Sequence, residues 1–222
     1  MVKIMIKSKI YWSTVSPLLE EILINLMNEP IFDNFRLVGG TALSLQIGHR
    51  ISVDIDLFSD AEYGSINFEN IENFLHQKYK YFRKSGIDII GFGTSYFVGN
   101  NKDDSIKIDL YYTDDFVFDP IVFDNIRIAS EKEIIAMKLD VILRNGRKKD
   151  FWDLHYYLEK YSIKEMISFF RMRYPYNDDF KKIENQLLNF DNADLDFETN
   201  CLMGKTWELI KFDFYEKMKG HN

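Results

Sequence analysis

Two rhythms of apolar residues run along the chain. Leu19, Ile22, Leu23 and Leu26 recur at the spacing of a helix face, with Glu20 and Glu21 near the start, which predicts a helix over residues 16–28. Residues 53–58 (VDIDLF) and 105–112 (SIKIDLYY) instead alternate strictly, the signature of strands with one face on a core. The turn-rich NNKDD before the second of these joins it to residues 94–99 (TSYFVG) and predicts a hairpin. One further strand is expected within 35–38 and one within 121–129; helices are expected over 41–46, closed by Gly48, and over 67–79. Past residue 129 the rhythm is helical. Ser130 with Glu133 and Ser162 with Glu165 fit capping boxes, Asn145-Gly146 can end the first helix, and 149–160 and 206–219 read as further helices. The pattern predicts an α+β fold: a mixed sheet flanked by helices over residues 1–129, then a helical part over 130–222.

The alternation also places charges. Val53, Ile55 and Leu57 share one face, so Asp54 and Asp56 share the other. In the later strand Ile106, Ile108 and Leu110 are the apolar set, which puts Asp109 on the opposite face, within reach of the pair if the strands are neighbours. In open water such acids are merely solvated. In a cleft they call for a cation, and oxygen ligands of this kind suit Mg²⁺ or Mn²⁺. Three carboxylates from two strands can hold two such ions, clamp a triphosphate and make a hydroxyl more nucleophilic. Upstream, Gly39-Gly40 permits close backbone approach, and the helix after it offers free N–H groups, with the Thr41 hydroxyl as a further donor. The same turn also serves as a strand-to-helix connection with no ligand.

Composition narrows the classes. The 222 residues are 46% hydrophobic, enough for a sizeable core, and the net charge of −7 argues against an indiscriminate nucleic-acid coat while leaving room for a local basic groove. One cysteine, Cys201, excludes an intramolecular disulfide. No apolar run approaches the roughly 20 residues of a membrane span. Lys3, Lys7 and Lys9 interrupt the N-terminal MVKIMIKSKIYW, a poor signal peptide. A cytoplasmic protein without membrane attachment is the expectation.

Order and spacing add specificity. The run Gly39-Gly40-Thr41-Ala42-Leu43, then Gly48-His49-Arg50, Ser52 and Asp54-Ile55-Asp56-Leu57-Phe58, closely resembles the first motif of the AbiEii/AbiGii nucleotidyltransferase family, within the DNA polymerase β-like superfamily. Residues 138–154 (KLDVILRNGRKKDFWDL) resemble its later motif, with Lys138, Arg144, Lys149, Asp150 and Asp153 in matching places and Val141 where alanine is usual. The resemblance spans residues 31–160, and Trp207 to Lys211 is similar to the family's last helix.

It implies a nucleotidyltransferase fold and transfer of an NMP from an NTP to an acceptor hydroxyl. Asp54, Asp56 and Asp109 would hold two Mg²⁺ or Mn²⁺ ions, with Asp109 assisting deprotonation. Gly39, Gly40, Thr41 and Lys138 would hold the triphosphate, and Arg50, Arg144 and Lys149 would add nucleotide or phosphate contacts. Asp150 would orient a basic residue or touch the nucleotide. Arg50 is as well suited to a salt bridge with a local acid. The resemblance further implies the toxin of a toxin–antitoxin or abortive-infection system, with tRNA as an acceptor and a cognate antitoxin as partner. A small-molecule or protein acceptor stays open, as does a nucleotide-binding module without turnover. His76 and His155 read as ordinary helix-surface residues.

Overall fold

The computed structural model describes residues 5–6, 9–85 and 92–219, so most of the basic N-terminal stretch lies outside the described residues. Eight strands, β1 (Met5–Ile6), β2 (Arg36–Val38), β3 (Asp54–Ser59), β4 (Tyr81–Lys84), β5 (Gly93–Gly99), β6 (Ser105–Tyr112), β7 (Ile121–Phe123) and β8 (Ile126–Ile128), form one mixed sheet in the order β1-β7-β8-β2-β3-β6-β5-β4. β3 runs antiparallel to β2 and parallel to β6, and β6 pairs antiparallel with β5. The expected hairpin over 94–112 is present. The single strand expected over 121–129 is instead a second hairpin, β7 and β8, turned at Asp124, whose φ is 49°. An Asp-Asn turn within an apolar run was the missed signal.

The helices are α1 (Pro17–Met27), α2 (Gly39–Ile47), α3 (Phe68–Lys78), α4 (Glu131–Leu143), α5 (Lys148–His155), α6 (Ile163–Arg173), the single turns α7 (Ile183–Gln186) and α8 (Asp191–Asp194), and α9 (Trp207–Lys219). Local chemistry accounts for their ends. Ser16 Oγ accepts from the Leu19 N–H, Gly48 ends α2 in the left-handed region with φ 72°, and Ser162 with Glu165 closes a reciprocal capping box. α1 buries the predicted stripe Leu19, Ile22, Leu23 and Leu26.

Two further expectations need correction. Val53 lies just before β3 and is 64% exposed, so Ile55 and Leu57 alone carry the core face. Ser130 does cap α4, but Glu133 does not return to it: its buried carboxylate accepts the Val117 and Phe118 N–H groups and pairs with Arg173 of α6. A long-range guanidinium outcompetes a local backbone N–H for a buried acid. Buried side chains from both parts of the chain, among them Leu37, Ile55, Ile135, Phe151 and Phe214, belong to one hydrophobic cluster.

Candidate functional site

The parallel register of β3 and β6 sets Asp56 beside Asp109 and Asp54 beside Lys107, all on one face of the sheet. Burial pushes the Asp56 carboxyl up to about 6, and the charges of Asp109 and then Asp54 add to the shift. Asp109 is engaged on both oxygens: Ser95 Oγ of β5 donates to Oδ1 at 2.5 Å and Lys107 Nζ to Oδ2 at 2.5 Å. Consistent with that, among the described residues no group of three His, Cys, Asp or Glu side chains is arranged around an ion as it stands. The donor set nevertheless fits a hard divalent cation. It is all carboxylate oxygen, and the raised Asp56 marks a place short of positive charge.

The glycine turn follows from the same register. Val38 pairs with Asp56, so the next residue, Gly39, begins α2 against the Asp56 carboxylate. Gly39 has φ +68°, and a Cβ there would lie 2.3 Å from Asp56 Oδ2. A Cβ on Gly40 would lie 2.1 Å from Arg50 Nη2. The glycines therefore let Asp56 and Arg50 come up against the first turn of α2. Thr41 is fully used within the protein, donating to the Asp54 carbonyl and sharing a 2.8 Å hydrogen bond with Ser52 Oγ, which anchors the start of β3.

Beside this face lies a buried network of charges centred on Asp153. Its carboxylate accepts from Arg50 Nε at 2.6 Å, Arg50 Nη2 at 2.9 Å and His49 Nε2 at 2.7 Å, and pairs with Lys138 Nζ at 2.6 Å. Burial alone would push the Asp153 carboxyl up, but Arg50 and then Lys138 hold it well below the usual carboxylate range. Lys138, on α4, also donates to Asp150 at 2.6 Å, and the second Asp150 oxygen accepts the Arg147 N–H at the start of α5. Asp150 thus links Lys138 of α4 to the first turn of α5.

Lys149 stands apart from these pairs. Half-buried, it makes no ion pair among the described residues, and burial, then Arg147, Lys138 and Arg50, lower its pKa, while Asp54 opposes the shift. Arg144 lies outside the network, an exposed side chain paired with Asp140 of its own helix.

The structure therefore gathers Gly39, Gly40, Arg50, Asp54, Asp56, Asp109, Lys138, Lys149 and Asp150 into one region, with Thr41 as a structural pin and Arg144 outside. Sequence reasoning left Asp153 without a role and missed Ser95, Lys107 and the buried position of His49. Lys107 was available from the strand's own alternation, two residues before Asp109. Asp153 as the hub was not, because its partners come from residues 49, 50 and 138. His155 is also corrected: it is buried, with Nε2 against Asp213 Oδ2 at 2.7 Å, rather than on the helix surface.

A mixed sheet bearing acids on adjacent strands beside a glycine turn defines the nucleotidyltransferase class of fold, and solved structures agree. A candidate nucleotidyltransferase from H. pylori superposes with a TM-score of 0.59 at 18% identity, covering 90% of this chain and 92% of that one. MenT4, a nucleotidyltransferase toxin from Mycobacterium tuberculosis, superposes with a TM-score of 0.54 at 11% identity, covering 90% and 82%. An uncharacterized protein of Aquifex aeolicus is 27% identical over 201 residues, 85% of this chain and 88% of its own length. The profile of the AbiEii family, described as the nucleotidyl transferase AbiEii toxin of type IV toxin–antitoxin systems, matches residues 21–214, and the chain belongs to that family. It is a nucleotidyltransferase enzyme. Among the described residues no helix is long and apolar enough to cross a membrane.

Proposed function

We propose that the protein is the toxin of a toxin–antitoxin pair and transfers an NMP from an NTP to a hydroxyl of tRNA in the cytoplasm, opposed by a cognate antitoxin. The observation that carries the reading is the crowding of Asp54, Asp56 and Asp109 on one sheet face beside a cation, Lys149, that has no ion-pair partner among the described residues. Asp54, Asp56 and Asp109 would hold two divalent cations, Mg²⁺ or Mn²⁺, which when bound neutralise the triphosphate and polarise the reacting oxygens. Lys149 has no carboxylate to leave, so it meets the triphosphate without breaking a pair. The N–H groups at the start of α2 add donors beside Gly39 and Gly40.

The acceptor oxygen attacks the α-phosphorus and the bond from that phosphorus to the bridging oxygen breaks, so pyrophosphate leaves. The acceptor's proton passes to Asp109, which must release Lys107 or Ser95 to take it. Lys138 and Arg50 act as a fixed positive field through Asp150 and Asp153 rather than as free hands on the substrate. Residues 1–129 supply the reacting carboxylates in this reading, together with Arg50 and Lys107, and residues 130–222 supply Lys138 and Lys149. The tRNA acceptor rests on the family's toxin character together with Arg147 and Lys149 at the start of α5.

The test is a transfer assay with Mg²⁺, each α-labelled NTP in turn, and tRNA, protein extract or small-molecule extract as acceptor. Label entering tRNA with the wild type and not with Asp56→Asn is the expected result. Label entering only protein or small molecules would overturn the acceptor, and equal labelling by Asp56→Asn would overturn the site.

A further inference from the structure

The sheet face that carries the acids does not end at Asp109, because register extends it outward to the edge strand β4. Asp54 of β3 stands opposite Lys107 of β6, Lys107 opposite Phe97 of β5, and Phe97 opposite Arg83 of β4, so the four share one face. The row beside it is Asp56, Asp109 and Ser95. Adjacent strands lie about 4.8 Å apart, which puts Phe97 about 5 Å and Arg83 about 10 Å beyond the strand of Asp109. The opposite face of β5 and β6 is core: Tyr96, Val98, Ile106 and Ile108 are buried.

Core packing does not account for Phe97. Half-buried, it belongs neither to the hydrophobic core nor to the apolar side chains packed against it. Its same-face neighbours along β5 are Ser95 and Gly99, so the ring rises between two small residues. Its ring contact among the described residues is the Arg83 guanidinium, 4.5 Å from the ring centre. Arg83 is exposed and makes no ion pair or hydrogen bond among the described residues. An arginine stacked on an aromatic ring keeps its N–H groups for a phosphate and its outer plane for a base. The surrounding charge has one sign: residues 78–84 (KYKYFRK) hold four cations and no acid, in a chain of net charge −7. Lys84, on the other face of β4, is held by Glu72 at 2.8 Å. A stacking surface with cations beside it is the means by which proteins bind single-stranded nucleic acid. In a duplex the bases are already stacked on one another, so only an unpaired base can use it. A polyanion without bases would leave Phe97 unused.

We infer that the open face of β6, β5 and β4 carries the single-stranded part of the RNA acceptor. An unpaired base stacks on the Phe97–Arg83 pair, Arg83 takes the adjoining phosphate, and the strand continues along the face to set its hydroxyl at Asp109. The inference rests on the RNA-acceptor reading of the transfer site. Phe97 and Arg83 bind and take no part in the chemistry. Lys107 stands between them and the acids, and the release of Asp109 that proton transfer requires frees it for the strand's next phosphate.

The test is the fluorescence anisotropy of a short labelled single-stranded RNA, titrated in EDTA over a series of salt concentrations. Wild type, Phe97→Leu, Phe97→Trp, Arg83→Gln and Asp56→Asn are compared, each checked for a native thermal melt. Phe97→Leu should weaken binding about 10-fold with its salt dependence unchanged, and Phe97→Trp should retain it. Arg83→Gln should weaken binding and reduce the slope of log K against log salt by about 0.7, the share of one phosphate contact. Asp56→Asn should bind no less tightly than wild type. In the transfer assay, Phe97→Leu and Arg83→Gln should raise KM for the RNA and leave KM for the NTP unchanged. No binding by folded wild type, or wild-type binding by both Phe97→Leu and Arg83→Gln, overturns the proposal. So does a duplex of the same sequence that binds as tightly as the single strand. Single-stranded RNA held through Phe97 with no label entering any RNA would keep this face and sink the RNA-acceptor reading. Transfer to tRNA at wild-type KM by both variants would keep that reading and sink this face.

Discussion

Asp56 illustrates how a functional group is held against its own stability. Its carboxyl is raised from 3.8 to about 6, so the folded protein takes up a proton more readily than the unfolded chain. The sign follows: the destabilisation is absent below pH 4, grows as pH rises towards 6, and is complete above it. Asp56→Asn should therefore stabilise the chelated protein by up to about 3 kcal/mol at pH 7.5 and by almost nothing at pH 4, read by denaturant unfolding, while abolishing transfer. An equal effect at both pH values would refute the electrostatic cause. Asp153 has the opposite sign. Its carboxyl is held well below the usual range, so its stabilisation is present above about pH 4 and is lost as pH falls further. Asp153→Asn leaves Arg50 and Lys138 buried with less counter-charge and should cost about 3–5 kcal/mol at neutral pH, a loss visible as a lower denaturant midpoint. The two acids lie on nearby elements and look alike in sequence; only their neighbours separate them.

Among the elements, α4 and α6 are joined by a contact that caps neither. Glu133 and Arg173 have no exposed side-chain surface, and Arg173 also donates to the Asp115 carbonyl at 2.9 Å and Thr113 Oγ1 at 2.7 Å. The pair ties both helices to the loop that leaves β6, the strand carrying Asp109. Removing one partner, by Glu133→Leu or Arg173→Met, should cost about 3–5 kcal/mol. The double variant should cost clearly less than the sum, and a double-mutant cycle that shows simple additivity would argue that the pair does not couple. Most elements were legible from the chain because helix and strand periods, caps and turn residues are local, whereas the edge strands β1 and β4 and the single turns α7 and α8 are too short to carry a period. The serine of Ser162-Glu165 and that of Ser130-Glu133 both cap their helices. Glu165 completes its box because it is exposed and has no better partner, whereas Glu133 is drawn to a guanidinium 40 residues away. The β7–β8 turn was missed because two residues, Asp124 and Asn125, suffice to reverse a chain whose apolar rhythm hardly breaks.

For the whole molecule, cation binding and folding should be linked. Added Mg²⁺ or Mn²⁺ at pH 7.5 should raise the melting temperature of the chelated wild type, by an amount equivalent to about 2.7 kcal/mol at 100 times Kd, and should leave Asp56→Asn almost unmoved. An equal shift in both would place the ion elsewhere. By itself the sequence determined the α+β order of elements, the family, and the three acids with their glycine turn, because alternation assigns a face and motif spacing is read along the chain. Only the tertiary structure decided which residues those acids meet. It set Asp56 beside Asp109 by parallel register, gave Thr41 an internal partner, put Arg144 on the surface, and made Asp153 the hub of residues about 100 positions away. The physical reason is range: periodicity and capping act over a few residues, whereas the strength of a buried charge depends on whatever the fold brings within hydrogen-bonding distance.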